Sequence, residues 1–129
     1  MVLARIVGLC LLLAMHAAPA VAFEQAAFET ERFKSDLIAG RAIVVHISAP
    51  WCPTCWTQHL VLSSLANAPE YASVRVYEVD FDQQKDVARA FRAQHQSTLI
   101  AFHGQRELAR SVGDTSMQGI REVLASSLK

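Results

Sequence analysis

Two cysteines three residues apart carry the most chemistry in this sequence: Cys52-Pro53-Thr54-Cys55. They follow a β-branched run, Ala42 to Ile47, and open a stretch with helical spacing. At the first turn of a helix this spacing brings two sulfurs within bonding distance. A helix N-terminus offers unpaired N–H groups and the positive end of a dipole, so it stabilises a thiolate at Cys52. A lowered thiol pKa makes Cys52 the nucleophile and Cys55 the resolving thiol. Pro53 falls at an early helical position, where its missing N–H costs little. Trp51 shields one side of the pair and offers a flat docking surface. Two blander readings compete. A permanent staple gains little, because cross-link stabilisation grows with loop length. Half of a zinc site lacks the second ligand pair.

The elements that must position these sulfurs alternate along the chain. Glu24 to Ala39 reads as a helix through Phe28, Phe33 and Leu37, stopped by Gly40. Ala42 to Ile47 reads as a central strand buried on both faces. The helix after Cys52 is expected to reach Asn67, with Leu60, Val61, Leu62 and Leu65 inward. Val74 to Phe81 reads as a strand, and Asp82 to Gln94 as a helix with Val87, Ala88 and Phe91 inward. Asp82, Lys85, Asp86, Arg89 and Arg92 form its solvated face. Thr98 to Phe102 and Glu107 to Val112 make a hairpin around His103-Gly104-Gln105. Thr115 to Leu128 closes the chain as a helix, with Met117, Ile120, Val123, Leu124 and Leu128 on one stripe. The order predicts an α/β fold, a mixed sheet with helices on both faces.

Composition sets the boundaries. The chain has 129 residues, enough for one domain. Twelve basic residues balance twelve acidic ones, which gives no support to nucleic-acid binding, a role that requires a basic face. The hydrophobic share of 52% and the odd count of three cysteines trace to the N-terminus. Arg5, an apolar run from Ile6 to Met15, and Ala20-Val21-Ala22 before Phe23 have the pattern of a secretory signal peptide. An uncleaved anchor is the alternative. Cleavage of 22 of the 129 residues leaves a single domain of 107, residues 23–129, with Cys52 and Cys55 as its cysteines. Its destination is the periplasm or the cell exterior, where disulfides persist.

Three blocks together resemble the thioredoxin superfamily over essentially all of residues 23–129. They are Ala49-Pro50-Trp51-Cys52-Pro53-Thr54-Cys55 after a strand, Val76 to Asp82 as the next central strand, and Gln96-Ser97-Thr98-Leu99-Ile100-Ala101-Phe102 before a glycine turn. The resemblance implies a thioredoxin fold and thiol–disulfide exchange. In that exchange Cys52 attacks a substrate disulfide and Cys55 resolves the mixed disulfide. It implies no cofactor beyond a redox-active Cys52–Cys55 disulfide. The expected partners are protein disulfides and thiols, with a membrane thiol-electron transporter as electron donor. A monomer is expected.

Three positions depart from the family. Thioredoxins place a cis-proline before the Thr of the third block, and here Ser97 stands before Thr98. A cis bond to a residue other than proline costs about 3 kcal/mol, so a trans or locally strained peptide is expected. Ser97 also brings a hydroxyl beside the sulfurs. The buried acid beneath the cysteines is replaced by His46, and the neighbouring lysine by Glu78. A His–Glu pair there suits proton transfer to and from Cys55, with Glu78 setting the His46 tautomer. His59 and His95 are expected at the surface and His103 in the hairpin turn. Trp56 reads either as a docking aromatic or as a partly buried helix residue. A compact chain without an inserted helical domain favours a reductant over an oxidant. The alternative class is a copper or zinc module using the cysteines with a histidine or the Ser97 loop.

Overall fold

All seven residues of Ala42–Ser48 are buried, as expected for a β-branched strand with neighbours on both edges and helices on both faces. This strand, β2, lies at the centre of a five-stranded sheet in the computed structural model, which describes residues 22–129. Apart from Ala22, the expected leader lies outside the described residues. The other strands are β1 (Glu24–Ala27), β3 (Arg75–Asp80), β4 (Thr98–His103) and β5 (Arg106–Val112), in the order β1-β3-β2-β4-β5. The β1/β3 and β2/β3 pairs are parallel, and the β2/β4 and β4/β5 pairs antiparallel. The helices are α1 (Thr30–Ile38), α2 (Pro53–Leu65), α3 (Lys85–Ala90) and α4 (Met117–Ser126).

Strand alternation divides the core in two. Val44, Val76, Leu99 and Ala101 face α2 and α4, meeting Leu62, Leu65, Ile120, Val123 and Leu124. Ile43, Val45, Ile47, Tyr77, Val79 and Ile100 face α1 and α3. There Phe33 meets Phe28, Tyr77, Phe91 and Phe102 with ring centroids 5.2–5.8 Å apart. Tilted and edge-on pairs of this kind add about 1 kcal/mol each beyond area burial. By the same alternation His46 falls on the α2 face of β2, beneath the cysteines.

The first expected helix is split. Residues Glu24–Ala27 form β1 instead, an edge strand with little burial and no apolar alternation. It forms through backbone pairing to β3 from Glu24↔Arg75 to Ala27↔Glu78, partners about fifty positions away in sequence. Phe28 ends that ladder through its N–H to the Glu78 carbonyl at 2.8 Å. Only Phe33 and Leu37 keep their helical spacing in α1, and Gly40 (φ 71°) closes it as expected. The α3 helix, Lys85–Ala90, is shorter at both ends than the expected Asp82 to Gln94. The Asp80 carboxylate accepts the N–H groups of Asp82 and Gln83, both at 2.9 Å, and this turn delays the helix. Arg92, at φ 54°, lies beyond its end. The α2 helix stops at Leu65 rather than Asn67. Leu60 points outward, 52% exposed, and Met117 and Leu128 are also exposed, which narrows both expected stripes.

On the α1 side of the sheet, Asp36 is buried and collects three donors. They are the Tyr77 hydroxyl at 2.6 Å, Arg75 Nη1 at 2.7 Å and Arg41 Nε at 2.9 Å. Burial pushes the Asp36 carboxyl up, but the Tyr77 and Arg75 hydrogen bonds and the Arg75 and Arg41 charges outweigh it and hold it low. Arg75 also reaches Glu24 at 2.7 Å, so one arginine ties β1, β3 and α1. Asp36→Ala leaves Arg75 and Tyr77 without that partner and is expected to cost about 3 kcal/mol in urea unfolding at neutral pH. Because the folded-state pKa is lowered, wild type loses stability as pH falls below the ordinary 3.8. The variant should lose less over that range.

Candidate active site

The chain leaves β2 at Ser48, turns through Ala49 to Trp51, and enters α2 at Pro53. Cys52 is the N-cap, in extended conformation (φ −92°, ψ 108°), with Pro53 in the first helical turn. Its Sγ accepts the Cys55 N–H at 3.1 Å, one of the donors a helix start leaves unpaired. Cys52 and Cys55 form a disulfide with Cα atoms 5.3 Å apart. Both are buried, at 4% and 3% exposure. Trp51 beside them is 61% exposed and donates its indole N–H to Asp82 at 2.6 Å. Pro53 is exposed and Thr54 half-buried at the same rim. Trp56 is 65% exposed and stacks on His59, which decides for a surface aromatic over a buried one.

The loop before β4 brings Ser97 onto both sulfurs. Its Oγ lies 3.1 Å from Cys52 Sγ and 3.2 Å from Cys55 Sγ. Among the described residues there is no cis peptide, and Ser97 instead takes φ 60°. That left-handed conformation costs a residue with a Cβ about 1–2 kcal/mol. The surroundings hold it: the Ser97 carbonyl accepts the Gly113 N–H at 2.8 Å and Gln58 Nε2 at 3.0 Å. Thr98 is buried, and its hydroxyl donates to the His95 carbonyl at 2.7 Å. His95 itself is exposed, as expected.

His46 is 1% exposed and its Nε2 lies 3.0 Å from Gln58 Oε1. The Gln58 amide nitrogen gives its hydrogens to the Ser97 and Asp114 carbonyls, at 3.0 and 2.9 Å. Gln58 Oε1 can only accept, so His46 carries a proton on Nε2, and in the neutral ring the lone pair is on Nδ1. Burial lowers the His46 pKa, against the nearby Glu78 charge and the Gln58 bond, which raise it. The ring is therefore neutral at pH 7. Gln58, not Glu78, fixes the tautomer. Glu78 pairs with His46 in the strand register but accepts its hydrogen bond from Ser48 Oγ, at 2.8 Å. His46 and Glu78 line a cavity of about 590 Å³ that also touches Cys52, Cys55, Trp56 and His59. His59, expected at the surface, thus reaches this space. Among the described residues, no three His, Cys, Asp or Glu side chains converge as metal ligands.

A family model described as "Thioredoxin" matches residues 24–126. The chain belongs to the thioredoxin family. Thioredoxin-2 of Saccharomyces cerevisiae is 29% identical over 97 residues, covering 74% of this chain and 90% of that protein. Thioredoxin of Chlamydia trachomatis is 33% identical over 79 residues, covering 61% and 76%. The crystal structure of Trxlp from Edwardsiella tarda superposes with a TM-score of 0.76 at 33% identity, covering 78% of this chain and 98% of that one. Thioredoxins reduce protein disulfides, and the thioredoxin-type chemistry of this chain is thiol–disulfide exchange at its CxxC pair, Cys52 and Cys55.

Gln58 was not among the residues singled out in the sequence. The signal was present: Cys55, Gln58, Leu62 and Leu65 are the buried residues of α2, and a glutamine among them needs buried partners. The lowered His46 pKa sets a pH dependence. In the window just below pH 6.5 the unfolded chain takes up a proton that the folded chain refuses. Stability should therefore fall as pH drops through that window, and the slope should flatten in His46→Gln. Urea midpoints at stepped pH measure both.

Proposed function

We propose that the protein is an exported thioredoxin-type reductant of protein disulfides, acting in the periplasm or outside the cell. The observation that carries the exchange chemistry is the buried sulfur pair at the start of α2, with Cys52 Sγ accepting a backbone N–H. The same N–H and the helix dipole favour a Cys52 thiolate in the dithiol form. That thiolate attacks a client disulfide, and one client sulfur leaves as a thiolate. Cys55 then attacks Cys52 Sγ, the mixed disulfide breaks, and the second client sulfur leaves. Neutral His46, sharing a cavity with Cys55, is the base that receives the Cys55 proton. Trp51, Pro53 and Trp56 supply exposed surface beside the pair for client docking.

Two features support export and direction. The first 22 residues have the signal-peptide pattern, and Phe23 directly after them is 3% exposed, packed at the start of the core. The described residues form the five-stranded core without the inserted helical domain usual in periplasmic oxidants and isomerases. An oxidising compartment returns the pair to the disulfide, so a reductant needs recharging. A membrane thiol-electron transporter is the donor that fits.

The expected outcomes are direct. Wild type should catalyse insulin reduction by dithiothreitol, and Cys52→Ser should abolish it. Cys55→Ala should accumulate mixed disulfides through Cys52. His46→Ala should slow resolution at neutral pH about a hundredfold or more, the usual range for loss of a general base. Protein recovered from the periplasm or medium should begin at Phe23; a chain still beginning at Met1 would contradict cleavage, and one retained in the cytosol would contradict export.

A further inference from the structure

We propose that the Ser97 hydroxyl is a hydrogen-bond donor shared by the two active-site sulfurs, stabilising whichever one carries negative charge during exchange. This rests on exchange at Cys52 and Cys55 but not on its direction. Ser97 is 6% exposed, and its Oγ stands nearly equidistant from the two sulfurs, at 3.1 and 3.2 Å. The backbone is held there by the Gly113 and Gln58 bonds to its carbonyl. Transferring the bond from one sulfur to the other therefore requires only rotation of the O–H. A proline at this position has no side-chain donor to offer.

Charge makes the contact matter. A disulfide sulfur is a weak acceptor, whereas a thiolate is a strong one. The hydroxyl therefore stabilises the reduced, ionised pair more than the oxidised one. In the dithiol form it donates to the Cys52 thiolate, alongside the Cys55 N–H. Attack forms the Cys52–client bond and expels the first client sulfur as a thiolate. The Cys55 thiol then loses its proton, and Ser97 turns its hydrogen to the new Cys55 thiolate. Attack by Cys55 on Cys52 Sγ forms the protein disulfide and expels the second client thiolate with the electron pair. Two electrons pass to the client, and Ser97 keeps its proton throughout.

Two variants test this. Ser97→Ala removes the hydroxyl and keeps the Cβ. Ser97→Gly removes the hydroxyl and also relaxes the φ 60° backbone. The Cys52 titration, read by thiolate absorbance of the reduced protein, should rise by about one pKa unit in both. Where Cys52 is fully ionised in all forms, the equilibrium with glutathione should shift about tenfold towards the protein disulfide, about 30 mV more reducing. The Cys55 midpoint, read from the pH profile of thionitrobenzoate release from its mixed disulfide with Cys52, should rise as well. An unchanged Cys52 midpoint in both variants would overturn the assignment. So would a shift in Ser97→Ala that is absent from Ser97→Gly, which would assign the effect to the backbone. A shift at Cys52 with none at Cys55 would overturn the sharing. Wild-type turnover of a protein disulfide tests exchange separately from these midpoints.

Discussion

The side-chain amide of Gln58 ties the active site together. From the inward face of α2 it reaches β2 through His46, the loop before β4 through Ser97, and the loop before α4 through Asp114. Its amide oxygen and both amide hydrogens have partners, so the direction of each bond is fixed. Both amide hydrogens go to carbonyls. The amide oxygen therefore accepts from His46 Nε2, and burial, which lowers the His46 pKa, leaves the ring neutral in that tautomer. The bond to the Ser97 carbonyl helps hold a left-handed residue in place, and that conformation accompanies a hydroxyl lying between the sulfurs. A buried amide with a missing partner would cost about 1–3 kcal/mol, which makes the arrangement an all-or-nothing one.

The fold supplies the conditions for that amide to act. The fully buried β2 strand ends just before α2 begins, so the sulfurs lie at the positive end of a helix and beyond the C-terminal end of the central strand. Antiparallel pairing of β2 with β4, with His46 opposite Leu99 and Ile47 opposite Thr98, brings the Ser97 loop alongside. The aromatic cluster under α1 and α3 and the Asp36 network stabilise the opposite face and the β1 edge. The Asp36 and His46–Gln58 networks therefore lie on different faces of the same sheet. Changes at Asp36 should leave the sulfurs unaffected.

What could be read from the sequence follows the range of the interactions. Cys52, Pro53 and Cys55 were legible because a helix N-terminus and its first turn are local. The strand run Ala42 to Ile47 was legible because burial on both faces leaves a continuous apolar signature. β1 was not, because its strand character lies in hydrogen bonds to β3 and not in its own side chains. The full length of α3 was misread because the turn built on Asp80 lies upstream of the helical pattern. Leu60 was misplaced and Gln58 passed over for one reason: the inward stripe of α2 contains a polar residue whose partners come from distant elements. The His46–Glu78 pairing was half legible. Register places them side by side, but Gln58 and Ser48 take their hydrogen bonds.

On the proposed reading, Cys52 and Cys55 form a reducing pair whose dithiol passes electrons to client disulfides. Equilibration of the purified protein against a graded glutathione buffer tests it most directly, with the dithiol fraction read by alkylation. A thioredoxin-type reductant should give a potential at the reducing end, below about −220 mV, whereas a value near about −120 mV would mark a disulfide oxidant and contradict the account.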